Sequence, residues 1–168
     1  MASAFYRTFG RRIIAPAQCT PTTAIDLSAD TIRAVFANIT APGTTYTLSQ
    51  AHEFFSDLTN AALFGNLTVS TTMANCPTLG TITSGVAGDG TALLGCFNAA
   101  DTVFTAPANN GNSPEGDALI IFKSTTTVTT TSPLICYIDG FTAVTFNGGS
   151  VTVTWENSST NAIFKIVA

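Results

Sequence analysis

The sequence predicts an all-β (mainly β) fold: a single antiparallel β-sandwich or barrel-like domain with one short helix and an extended N-terminal arm. Three observations carry that expectation. From residue 66 onward, short patterned runs recur at intervals of about ten residues between Gly, Pro and Asn clusters, as in sandwiches and barrels. The run 149–155 alternates with period two, so Val151, Val153 and Trp155 share one face and Thr152 and Thr154 the other; 67–73 alternates in the same way. Two runs, 118–122 and 134–138, are instead continuously apolar, as expected of central strands covered on both faces.

Taken in order, residues 1–24 form the arm and residues 25–168 the β-domain. Pro16, Pro21 and the polar stretch 19–23 separate the two. Residues 31–39 are β-branched and aromatic and read as a strand, with Asp26 or Asp30 at its start and the turn 41–44 at its end. Residues 48–58 hold the one helical turn, capped by Ser49 and turning Leu48, Phe54, Phe55 and Leu58 to one side. Residues 85–90 are glycine-rich but lack the Lys-Ser/Thr ending of a phosphate loop and read as a turn. Residues 109–116 are a long turn, 124–131 a threonine-rich exposed hairpin tip or edge, and Asn147-Gly148 a hairpin turn leading into the Trp155 strand.

Charge is sparse, with six basic and ten acidic residues in 168. Arg7, Arg11 and Arg12 give the first twelve residues +3, and three basic against ten acidic residues leave −7 for the remainder. Three arginines would neutralise about three phosphates, too few for more than weak nucleic-acid binding. Phe5, Tyr6, Phe9, Ile13 and Ile14 interleave with Arg7, Arg11 and Arg12, the mixture of apolar anchors and arginine found in protein contacts. These eight residues are the expected inter-subunit contacts. The start of the chain has no continuous apolar segment before a cleavage site, and no run approaches the roughly 20 residues that span a bilayer. The expectation is synthesis in a cytoplasm, with no membrane partner.

The chemistry-bearing residues do not assemble into a site. His52 is the single histidine, and no nucleophile is marked for it; a partly buried histidine bonded to backbone at the helical turn accounts for it. The carboxylates fall near turns and element ends. No enzyme activity and no cofactor are expected. Cys19, Cys76, Cys96 and Cys136 lack zinc-ligand spacing, so no metal is expected either. Cys136 reads as a buried residue sharing a strand face with Leu134 and Ile138. Cys76 and Cys96 flank the glycine-rich region and are candidates for a disulfide, and Cys19 for an inter-subunit bond.

The segments 30–35, 52–58, 97–104, 118–123, 132–139, 147–155 and 163–166 occur in an order that resembles small virion structural proteins of tailed bacteriophages. The resemblance covers roughly residues 25 to 167, and its motifs are structural. The four cysteines and the arginine-rich start depart from that pattern. The resemblance implies a capsid decoration, cement or head-fibre protein on the outer surface of the phage head. Its partners would be the major capsid protein and neighbouring copies of itself, as a homo-trimer by analogy with cement proteins, with no direct contact to nucleic acid. A tail or fibre-base component is the alternative; a carbohydrate-binding surface module would need Tyr46, Tyr137 and Trp155 exposed.

Overall fold

The computed structural model describes residues 4–14, 24–40, 43–58, 62–64, 76–80, 83–88, 93–105, 115–125, 131–146, 148–155 and 164–167. In chain order the elements are β1 (Ala4–Phe5), α1 (Arg7–Ile14), β2 (Ile32–Ala37), a 3-10 turn (Phe55–Asp57), β3 (Thr83–Gly88), β4 (Leu93–Asn98), β5 (Thr102–Phe104), β6 (Glu115–Lys123), β7 (Leu134–Thr145), β8 (Val151–Val153) and β9 (Phe164–Val167). The class is all-β, every described strand pairing is antiparallel, and one short helix accompanies them.

Three sheets result: β1-β7-β6-β2, β3-β4-β9, and the ribbon β5-β8. The first is built on the two continuously apolar runs, and along those runs both of its faces are covered. Ile32, Ala34 and Phe36 of β2 and Leu119 and Ile121 of β6 join one cluster with Phe9, Phe64, Leu79, Phe104, Phe146 and Trp155. Val35, Ala37, Ala118, Ile120 and Phe122 join a second with Tyr6, Tyr46, Phe55, Leu58 and Leu63. An unbroken apolar run follows directly, because alternate residues of a two-sided strand must both be buried.

A bulge breaks the alternation in β7. Ile121 faces Cys136 and Phe122 faces Leu134, which makes Ile135 an extra residue on β7. Ile135 and Cys136 therefore both enter the first cluster, while Leu134 enters the second. This corrects the expectation that Cys136 shares a face with Leu134; it shares one with Ile138, which packs on the first cluster. A larger offset separates Gly116↔Val144 from Ala118↔Asp139, at Gly140 with φ 76°. There the Asp117 carboxylate accepts hydrogen bonds from the Ile39 backbone N–H at 2.6 Å and from the Thr40 hydroxyl.

The β2 strand forms where the sequence places it, and Asp30 at its start pairs with Lys123 at 2.8 Å. Trp155 turns inward as the alternation requires, its indole N–H donating to Thr102 Oγ1 at 2.8 Å. Three local expectations are corrected. Residues 85–88 are not a turn but part of β3, paired with 93–96 of β4. The turn before β8 is present, with Gly148 at φ 88°, but β8 pairs with β5 and not with β7. The helical turn over 48–58 shrinks to Phe55–Asp57, because residues 53–55 are drawn against 132–134: Leu134 N–H donates to Glu53 O at 3.0 Å and Phe55 N–H to Ser132 O at 2.9 Å. A short helix with a costly nucleus loses to those sheet-edge bonds. The alternating run 67–73 lies outside the described residues.

Candidate functional site

The segment expected to reach other subunits folds back on its own domain. Residues 4–14 are not extended: β1 pairs with β7 through Ala4↔Tyr137 and Phe5↔Cys136, and α1 follows at once. Tyr6, Phe9 and Ile13 stand at helical spacing i, i+3, i+7 and turn toward the domain, Tyr6 and Phe9 fully buried and Ile13 packed on the first cluster. That stripe was readable in the sequence; the interleaved arginines masked it. Phe5 stacks on Phe9 with ring centroids 5.1 Å apart.

Arg12 completes the docking. Its side chain is 1% exposed, its Nη2 donates to Glu53 Oε1 at 2.5 Å, and its guanidinium lies 4.8 Å from the Phe54 ring centre. The Asp57 carboxylate holds the partner segment by accepting from the Glu53 and Phe54 backbone N–H groups at 2.8 and 2.9 Å. Backbone bonds from Tyr6 N–H to Ile135 O (3.1 Å) and from Arg7 N–H to Gln50 O (3.0 Å) tie the segment to both sides of its seat.

Beneath it runs a chain of polar groups. The hydroxyls of Tyr6 and Tyr46 are 3.4 Å apart, and the Tyr46 hydroxyl is 2.6 Å from His52 Nδ1. Among the described residues the His52 ring is thus engaged by a tyrosine and not by backbone, which differs from that expectation. Burial, with the Tyr46 contact adding to it, drives the Tyr6 phenol far above its ordinary value; burial likewise raises Tyr46.

The eight expected arm contacts therefore divide. Tyr6, Phe9 and Arg12 are spent inside the chain, and Phe5 and Ile13 are partly covered. Arg7, Arg11 and Ile14, at spacing i, i+4, i+7, form the outward face of α1, with Ile14 82% exposed. Other exposed strand residues were not singled out from the sequence. The exposed residues of β5, β7 and β8 are Val103, Gly140, Thr142, Ala143, Thr145 and Thr152, and none carries charge.

The thiols are placed as follows. Cys136 and Cys76 are buried and free, each with its thiol pushed up to about 12 by burial, a neighbouring Arg33 opposing the rise at Cys76. The expected Cys76–Cys96 disulfide is not formed. The Cys76 backbone carbonyl accepts from Arg33 Nη1 at 2.6 Å beside β2, whereas Cys96 lies in β4 opposite Gly85 and Lys165. Cys19 lies outside the described residues. Thiols this weakly acidic are not nucleophiles near neutral pH. Among the described residues no group of three His, Cys, Asp or Glu side chains could hold a metal ion, and no helix is long and apolar enough to cross a membrane.

No family model, no curated protein and no solved structure matches this chain.

Proposed function

We propose that the chain is a structural component of a tailed-bacteriophage virion: a capsid decoration (cement) protein, with a sandwich-like or barrel-like body, that binds the outside of the head shell and stabilises it. The observation that supports this reading best is that the exposed residues of β5, β7 and β8 carry no charge. Uncharged side chains cost less to cover than charged ones, the threonine hydroxyls needing hydrogen-bond partners in return, and depletion of charge marks the centre of protein interfaces. The Arg7/Arg11/Ile14 face of α1 supplies a charged contact beside an apolar one. The route of attachment differs from a free arm, since residues 4–14 are engaged with their own domain; the outward faces make the contacts. Many weak contacts repeated over a shell add up through effective concentration.

Mass spectrometry and reconstruction of purified particles test this. A copy number matching the shell lattice, with density on the outer surface, is expected, together with lower heat tolerance of shells lacking the protein. A handful of copies at the tail or a fibre base replaces this reading with the alternative one. Absence from particles overturns both.

A further inference from the structure

We infer that His52 is an acid-sensitive latch for residues 4–14: protonating its imidazole reverses the hydroxyl chain that runs through Tyr46 to Tyr6 and loosens β1 and α1 from the domain. Three rings stand in series. The Tyr46 ring centre is 5.5 Å from that of His52, the Tyr46 hydroxyl is 2.6 Å from His52 Nδ1, and the Tyr6 hydroxyl is 3.4 Å from that of Tyr46.

Hydrogen accounting gives the chain a direction, because a phenol has a single hydrogen to donate. With the imidazole neutral and its hydrogen on Nε2, Nδ1 accepts the Tyr46 hydrogen. The Tyr6 hydroxyl then donates to the Tyr46 oxygen, which the Ser49 backbone N–H also reaches. Burial raises both phenols; their mutual contact adds to the rise at Tyr6 and opposes it at Tyr46, the signs of a donor and an acceptor. The Tyr46 hydroxyl is thereby saturated, giving one hydrogen bond and accepting two.

A protonated imidazole donates from both nitrogens. Its Nδ1–H claims the Tyr46 oxygen, so the Tyr46 hydrogen turns toward Tyr6, and the Tyr6 hydrogen turns away from its partner. That happens inside the domain, where Tyr6 is 1% exposed and a misdirected donor costs far more than in water. The cost falls on the segment that carries Tyr6. β1 ends immediately before this residue and α1 begins immediately after it, so both feel the charge on His52.

Other ionisable groups face the same place. Glu53 and Asp57 stand on the His52 segment, Arg7 and Arg12 come from α1, and Tyr137 and Cys136 of β7 lie beside Tyr6. Arginines, phenols and thiols do not titrate where imidazoles do. The two carboxylates are therefore the competing source of an acid response, and variants separate them from the latch.

The chain holds one histidine, so its imidazole is read without assignment. The test follows long-range proton–nitrogen spectra of the full chain over the range in which imidazoles change charge, about pH 8 to 5, together with hydrogen-exchange protection at α1 and β6 amides. An Nε2–H tautomer is expected at the alkaline end. As the imidazole gains its proton, α1 should lose protection about tenfold, the scale of one misdirected buried donor, while β6 does not share the loss. Tyr6→Phe has no hydrogen to turn away and His52→Gln gains no charge, so the loss should be absent from both. A loss that persists in either variant belongs to Glu53 or Asp57 and overturns the latch. An Nδ1–H tautomer, unchanged α1 protection or an equal loss in β6 also overturns it, and these are read in the unaltered chain even where a variant does not fold. The latch is a property of the purified chain, so its failure leaves the virion reading standing.

Discussion

Arg12 and Glu53 meet at 2.5 Å from opposite environments: the arginine side chain is 1% exposed and the glutamate 41%. The pair joins the helix nearest the amino terminus to a segment 41 residues away. An ion pair with one dry and one wet partner is asymmetric in what its loss costs. Removing the buried partner leaves a carboxylate that water can solvate; removing the wet partner leaves a guanidinium in the domain with the Phe54 ring as a remaining neighbour.

Glu53→Ala is therefore expected to destabilise more than Arg12→Met. The first loses about 1–3 kcal/mol, below the cost of breaking a fully buried pair because water reaches Glu53. The second keeps most of the apolar stem and loses about 1 kcal/mol or less. Urea unfolding of the two variants beside the parent checks the order, and equal losses would contradict the asymmetry.

Alkaline pH is expected to weaken the fold through groups that burial keeps neutral. Cys76 and Cys136 move from an ordinary 9.0 to about 12, and Tyr6 and Tyr46 rise above their ordinary 10.0. For a group whose folded pKa is raised, the unfolded chain ionises first, so the stabilisation is complete below the unfolded value and is lost as pH rises. The window opens at pH 9 for the thiols and at 10 for the phenols. Each fully affected group steepens the loss by about 1.4 kcal/mol per pH unit. Denaturation midpoints in reductant between pH 8 and 12 check this, and Cys136→Ala should flatten the slope between 9 and 12.

Legibility in the sequence followed how local each cause was. The runs 118–122 and 134–138 announced two-sided strands because every residue in them had to be apolar, and the 151–155 alternation placed Trp155 because only one face of that run packs. What failed depended on partners distant in the chain. No pattern near Leu134 announces a bulge, which arises only when β7 is laid against β6. The helical potential of 48–58 is lost to bonds with 132–134, and glycines 85 and 88 accept a strand because β4 lies beside them. The amino-terminal segment is the instructive case: its residues were identified as anchors, but sequence alone does not say whose surface they anchor to. The uncharged exposed strand residues went unread because threonine serves equally at an edge, in a turn or at an interface.

The hydroxyl chain makes Tyr46 matter more than Tyr6. Tyr46→Phe leaves His52 Nδ1 without its 2.6 Å contact and removes the 3.4 Å neighbour of the Tyr6 hydroxyl. A loss of about 1–3 kcal/mol is expected, the cost of stranding buried polar groups. Tyr6→Phe deletes one end of a 3.4 Å contact and strands nothing else, so less than about 1 kcal/mol is expected. The double variant should cost less than the sum of the two, which a double-mutant cycle measures directly.

Two glycines are expected to respond to alanine with opposite signs. At Gly116 an added Cβ would sit 2.8 Å from the Phe146 ring and 3.1 and 3.2 Å from Phe36. Phe36 is itself wedged against Phe104 and Phe146, with ring centroids 4.6 and 5.1 Å away, so the cluster has little room to yield. Gly116→Ala should cost about 1–3 kcal/mol as overpacking. Gly10 lies within α1 and nothing stands within 4 Å of the position a Cβ would take. There alanine removes backbone freedom from the unfolded chain without a clash and should stabilise by about 0.5–1 kcal/mol. Because that gain accrues to the helix, it should appear as slower hydrogen exchange at α1 amides as well as a higher midpoint. A raised midpoint without added protection in α1 would mean that the helix is not where the stabilisation acts.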